Sequence, residues 1–218
     1  MLSDFTAPVA VTGATGYVAS HIVGELLRRG GTVHATARDP SNENKVGHLK
    51  RQAASSPGTL KLFEGDLLEK GSYSRAFQGC ETVIHTASPF LVGRQNNPER
   101  DLVTPALQGT RNVLHTVNGT PAVRRVVLTA SVAAIYGESA DCEERGGCLD
   151  ESHWNETSSL TRLPYSYSKT VAEAEAWKMA KTQNRWRLAT INPGFVLGPS
   201  LTSRRDSVSI DFLLSLVN

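Results

Sequence analysis

The stretch Val11-Thr12-Gly13-Ala14-Thr15-Gly16-Tyr17-Val18-Ala19 decides the fold. It ends an apolar, β-branched run at residues 8–12 and opens an amphipathic segment at residues 17–29. A glycine-rich turn from strand to helix is where a dinucleotide pyrophosphate binds, because the first N–H groups of the helix lack partners and its dipole favours an anion. Gly13 permits the tight turn, Gly16 lets backbone approach the pyrophosphate, and the N–H groups around Thr15, Tyr17 and Val18 face the phosphates. Ala19 takes the place of a third glycine and is still small enough for helix and sheet to approach. An incidental strand-to-helix turn would share these residues, and what separates the two is the rest of the chain.

Beyond that unit the alternation continues. Residues 32–37, 60–64, 82–86, 125–129 and 188–191 read as further strands, separated by helical stretches at 42–54, 98–117 and 165–182. Strands joined through helices form a parallel sheet covered on both faces, and near-continuous apolar runs such as Val126-Val127-Leu128 fit burial on both sides. The expected fold is α/β, a doubly wound and mainly parallel sheet, with residues 1–218 as one domain. The polar stretch 138–162 is longer than an ordinary connection in a compact domain and is expected beside a functional site. Residues 199–218, with Arg204-Arg205 and an apolar segment at 209–217 that ends without a C-cap, read as the start of a second lobe that is cut short.

Composition narrows the partners. At 218 residues, 39% hydrophobic and 20% charged, the chain can bury one sizeable core. The 23 Lys and Arg nearly balance 21 Asp and Glu, so no global field draws the protein to nucleic acid or anionic membrane, and a small molecule is the expected partner. The opening MLSDFTAP lacks the apolar run of a signal peptide and no later run approaches a membrane span, which leads to the expectation of a cytoplasmic protein. Cys80, Cys142 and Cys148 are odd in number and lack metal-ligand spacing, so reduced thiols are expected and no metal. A Cys142 to Cys148 bridge across the glycine-rich loop stays geometrically open, with nothing that calls for it.

The second strand ends Thr36-Ala37-Arg38. An arginine there pairs with the 2′-phosphate of NADP, whereas an acid would accept from the ribose of NAD; Asp39 follows at once and keeps that alternative open. Lys45 offers a second positive charge or a plain solvated helix face. Asp66, followed by Leu67, stands where a carboxylate can meet adenine, or where it merely caps a turn. Tyr165 and Lys169 are four residues apart in a helical stretch and therefore share a face. A phenol with a pKa near ~10 is a weak acid–base catalyst at neutral pH, and a neighbouring ammonium stabilises its phenolate. Tyr167 lies off that face. Ser131, just past the strand 125–129, can hydrogen-bond both a substrate carbonyl and Tyr165; Thr129 is its rival.

At this point the chain resembles the extended short-chain dehydrogenase/reductase family, in the branch of dihydroflavonol reductase, cinnamoyl-CoA reductase and the yeast methylglyoxal/aldehyde reductases. The resemblance rests on VTGATGYVASHIV, ATARDPSNENKVGHL, EGDL, VIHTASPF, PALQGTRNVL, RRVVLTASVAAIYG, LDESHWNE, YSYSKTVAEAEAW and INPGFVLGP. It implies a Rossmann fold and an NADPH-dependent reductase of a ketone or aldehyde carbonyl, with Ser131, Tyr165 and Lys169 as catalytic residues and Tyr165 as proton donor. It also implies that Arg38 and Lys45 hold the 2′-phosphate, that Thr86, Ala87 and Ser88 line the cofactor, that Pro193, Gly194 and Val196 lie near the nicotinamide, and that Asn112 supports the site. Ala130 departs from the branch, which usually has serine there, and about a third of the family's length is missing after Asn218. The alternatives are an NAD-dependent sugar-nucleotide epimerase or dehydratase, and a non-catalytic NADP-binding fragment or sensor.

Overall fold

The computed structural model describes residues 7–88 and 96–202. Six strands, β1 (Val9–Thr12), β2 (Thr32–Ala37), β3 (Thr59–Glu64), β4 (Thr82–His85), β5 (Arg125–Thr129) and β6 (Arg187–Ile191), form one sheet in the order β3-β2-β1-β4-β5-β6. Every pairing is parallel. The expected doubly wound sheet is therefore present, with its strand order reversing between β1 and β4, where such sheets open a crevice at their carboxyl ends.

Period-two alternation divides the core between the two faces. Val9 and Val11 of β1 point to one side, where they join Val33, Ala35 and the Val23, Leu26 and Leu27 of α1 (Tyr17–Arg28). Leu49 of α2 (Glu43–Ala54) completes that layer. Ala10, Val83, Val126 and Leu128 point to the other side and meet Phe77 of α3 (Ser74–Phe77) and Val113, Leu114 and Val117 of α4 (Thr104–Asn118). Burying each such Val, Leu or Phe contributes about 1.5–3 kcal/mol, which is why these strands are apolar on both faces.

The differences from expectation have local causes. The helix expected over 98–117 is divided into a π-helical turn, Glu99–Val103, and α4. Pro105 in the first turn of α4 has no N–H to return to the preceding turn, so the regular ladder restarts there. Thr86 falls outside β4 because its hydroxyl turns to the carbonyl of Thr12. The connection 138–162 contains a short helix, α5 (Ser139–Glu144), which its polarity concealed. The last helix, α6 (Pro164–Lys181), begins after Leu163 in a left-handed conformation. Cys80, Cys142 and Cys148 are free thiols. Among the described residues no cluster of His, Cys, Asp or Glu is arranged to hold a metal, and no helix is long and apolar enough to cross a membrane. Arg204, Arg205 and residues 209–217 lie outside the described residues, and residues 199–202 are the described part of the segment read as a second lobe.

Gly13 holds φ at +62°, and a Cβ there would stand 2.8 Å from the Ala87 Cα on the neighbouring strand's extension. The Ala87 backbone that it would meet cannot yield as a flexible side chain could. Gly13→Ala is expected to destabilise the protein by about 2–3 kcal/mol, read from its urea midpoint. A loss below ~0.5 kcal/mol would show that the turn is not built this way.

Candidate functional site

The segments that follow β4, β5 and β6 meet α6, and the end of β1 joins them through Ala87. The glycine turn is closed by Gly16 N–H donating to Gly13 O at 2.9 Å, and Ala14 N–H donates to Thr36 O at 2.9 Å, which ties the turn to β2. No side chain caps the start of α1, so its first N–H groups point out of the turn unpaired by side chains. Ala19 is buried under the turn, where a larger side chain would separate helix from sheet. Tyr17 contributes more than backbone: its hydroxyl donates to Gly198 O at 2.7 Å, bringing the loop after β6 across to α1.

Arg38 and Lys45 are exposed beyond β2 and form no ion pair among the described residues. Asp39, the rival for an NAD ribose, is occupied by the turn itself. Its Oδ1 accepts from Ser41 N–H at 2.9 Å and from the Ser41 hydroxyl at 2.6 Å. Those hydrogen bonds hold its carboxyl below the usual carboxylate range. Asp66 likewise caps its own turn, with Oδ1 accepting from Leu68 N–H at 2.8 Å. Leu67 packs on the core, and its carbonyl accepts from Asn112 Nδ2 at 2.9 Å, so Asn112 supports the loop after β3 and not the Tyr/Lys pair.

Beyond β4, Ala87 N–H donates to Thr12 Oγ1 at 3.1 Å and Ser88 Oγ accepts from Lys169 Nζ at 3.0 Å. Lys169 Nζ also stands 5.7 Å from the centre of the Tyr165 ring, one turn earlier on α6. Burial pushes the Lys169 ammonium down to about 8. Tyr165 is 37% exposed, and burial of the rest of the ring raises its phenol above the ordinary value. A hydrogen bond with Ser131 pulls it back, so the group that lowers Tyr165 is the serine, whereas the sequence pointed to the lysine. Thr129 lies with Lys169 around a small chamber behind the pair. Ala130 is buried in the core, so no hydroxyl is available there. Pro193 O accepts from Val132 N–H at 3.1 Å, holding the loop 193–196 beside Ser131; Gly194 faces open space.

Sequence reasoning missed Thr12, His85, Glu173 and Asn192. Thr12 and His85 are fully buried on adjacent strands and joined at 2.8 Å, and burial first, then Lys169, depresses His85 to about 3. Their signal was visible: polar residues inside strands buried on both faces need a reason to be there.

The chain matches the NAD dependent epimerase/dehydratase family over residues 9–215. It is 41% identical over 212 residues to cinnamoyl-CoA reductase CAD2 of Medicago truncatula, covering 96% of this chain and 64% of that one. It is 41% identical over 207 residues to tetraketide alpha-pyrone reductase 1 of Arabidopsis thaliana, covering 94% and 62%. Among solved structures, Gre2 of Candida albicans in complex with NADPH superposes with a TM-score of 0.76 at 32% identity, covering 88% of this chain and 59% of that one. The chain thus spans less than two thirds of the length of these relatives.

Lys169 carries its charge at a cost. Its pKa in the fold is about 8 against 10.5 for an ordinary lysine, so the charged form is penalised below pH 8 and the penalty fades as pH rises from about 8 to 10.5. Lys169→Met is expected to be more stable than the native protein at pH 7 by roughly 1–3 kcal/mol, with the advantage shrinking by pH ~10. Urea melts at the two pH values measure it. An equal gap at both would mean that Lys169 is not desolvated.

Proposed function

The chain belongs to the NAD dependent epimerase/dehydratase family, the extended short-chain dehydrogenases, and from that membership and its site we propose an NADPH-dependent reductase of a ketone or aldehyde carbonyl. The observation that carries this reading is the meeting of Ser131, Tyr165 and Lys169 at the carboxyl edge of the sheet, beside an uncapped helix start. Turnover is proposed for the whole protein, with residues 1–218 as its nucleotide-binding domain, 138–162 beside the active site and 199–218 leading into a substrate lobe.

The residues fit a dinucleotide. Gly13 and Gly16 leave bare backbone, and the N–H groups of Thr15 and of Tyr17 and Val18 at the start of α1 donate to the pyrophosphate. Arg38 and Lys45 pair with the 2′-phosphate, while the occupied Asp39 offers little to a free ribose. Asp66 and Leu67 flank the adenine side, Thr86, Ala87 and Ser88 the middle, and Pro193, Gly194 and Val196 the nicotinamide end. NADPH, when bound, supplies the hydride. Tyr165 gives its proton to the carbonyl oxygen, Ser131 donates a hydrogen bond to that oxygen, and Lys169 holds the nicotinamide ribose and keeps a positive charge near the phenol. Within the same reading the enzyme is cytoplasmic, its three thiols staying reduced and its near-even charge leaving it without a nucleic-acid partner.

Two outcomes test this. Tyr165→Phe is expected to lower the rate of reduction of aldehydes, α-keto esters and dihydroflavonols by about 10²–10⁴-fold while leaving NADPH affinity nearly unchanged. Retention of most of the rate would show that Tyr165 is not the acid. Arg38→Glu is expected to weaken NADPH but not NADH by ~100-fold in fluorescence titration, and equal native dissociation constants for the two cofactors would overturn the 2′-phosphate assignment.

A further inference from the structure

Glu173 is a buried charge that the proposed chemistry leaves unused. It lies one turn beyond Lys169 on α6, is only 6% exposed, and forms no ion pair among the described residues. A carboxylate buried without a cation is costly, and a neutral side chain would fill the space more cheaply. Its oxygens are nevertheless engaged. Trp177 Nε1 donates to Oε1 at 3.3 Å and Asn192 Nδ2 donates to Oε2 at 2.8 Å.

Asn192 is the first residue past β6 and immediately precedes Pro193. The same Nδ2 donates to Ser131 O at 3.1 Å. On either side of that contact, Ala130 N–H donates to Ile191 O at 2.8 Å and Val132 N–H to Pro193 O at 3.1 Å. The segment carrying Ser131 and the segment leading into the 193–196 loop are thus zipped together, and Glu173 ties the zipper to the helix that bears Tyr165 and Lys169. Asn192 Oδ1 is buried with no partner, so the two acceptors of Nδ2 set the amide's orientation. A carboxylate is the stronger acceptor for such a link.

We propose that Glu173 is a positioning residue: through Asn192 it holds Ser131 and the 193–196 loop in register with Tyr165 and Lys169. This rests on the reductase reading above. A misplacement on the order of 1 Å at Ser131 is enough to slow a proton transfer without loosening the cofactor.

The test uses Glu173→Ala, Glu173→Gln and Asn192→Ala with Tyr165→Phe as reference. Glu173→Ala and Asn192→Ala are each expected to lower kcat about 10- to 100-fold with KM and NADPH affinity little changed, and the double variant to lose no more than either. Glu173→Gln keeps an acceptor for Asn192 and is expected to stay within ~3-fold of the native rate. A second readout needs no turnover. Ultraviolet titration of the cofactor-free protein, with Tyr165→Phe subtracted, is expected to show the Tyr165 phenol rising in Glu173→Ala and Asn192→Ala but not in Glu173→Gln, because the lowering contact from Ser131 is lost. A Tyr165 titration and a kcat in Glu173→Ala both unchanged would overturn the proposal, as would losses that multiply in the double variant. If Tyr165→Phe itself keeps its rate, the reductase reading fails instead, and the titration still decides the role of Glu173.

Discussion

The crevice at the carboxyl ends of β1 and β4 hangs on the hydroxyl of Thr12. This residue ends β1 at the point where the strand order reverses, and no water reaches it. Its Oγ1 meets His85 Nδ1 and accepts from Ala87 N–H, and its carbonyl accepts from the Thr86 hydroxyl. Those bonds pull the chain after β4 against the glycine turn, close enough that Gly13 can bear no side chain facing Ala87. One residue further, Ser88 receives the Lys169 ammonium. The glycine turn, the segment after β4 and, through Ser88, helix α6 are therefore registered by one buried threonine. A valine at position 12 would fill the same volume and leave Ala87 N–H and His85 unpaired, a loss set by desolvation of those groups and not by packing.

How much was legible depended on the range of the interaction. Strands and helices came from local periodicity, and all six strands fell within a residue of their expected ends because burial on both faces leaves a strong apolar signal. The Gly13 turn was readable for a similar reason: the constraint on φ acts on one residue. The Tyr165 and Lys169 pair followed from helix geometry alone. What stayed hidden were contacts between distant segments. The Lys169 to Ser88 bond and the link from Glu173 to Asn192 join residues 81 and 19 positions apart, and no period or spacing encodes them; the Ser131 to Tyr165 bond was expected from the order of the site residues. Asp66 was left open between adenine and a turn, and Asp39 kept the NAD alternative open; Oδ1 of each accepts within its own turn, a role Asp often fulfils at such positions.

The connection 138–162 shows how a polar stretch can be ordered without a core. Asp141 is buried and accepts from Gly137 N–H at 2.8 Å, Glu138 N–H at 3.2 Å and the Thr157 hydroxyl at 2.7 Å. Asn155 Nδ2 donates to Ala133 O at 2.7 Å, pinning the far end of the loop to the turn that follows Ser131. The Arg162 guanidinium then closes on Glu138 at 2.7 Å, one residue before the left-handed Leu163 that aims α6. The exposed ion pair adds little by itself. The buried carboxylate and amide do the ordering, because each would be left desolvated and unpaired if the loop opened.

The charge states of the site favour one direction of chemistry. A carbonyl oxygen that receives hydride needs a proton, and Tyr165, raised by burial, holds its proton through neutral pH. Oxidation of an alcohol would need the phenolate, which burial of the ring disfavours. Lys169, near 8, is still a cation at pH 7, so the phenol keeps a positive neighbour while it retains its own proton. As pH rises, Lys169 gives up its proton before Tyr165 does, since one is depressed and the other elevated. In the proposed reductase, an alkaline loss of rate therefore belongs first to the lysine, and only beyond it to the tyrosine. Ser131 sets the distance between those two events, because its bond is what draws the phenol back down, and its own placement depends on the buried amide and carboxylate behind it.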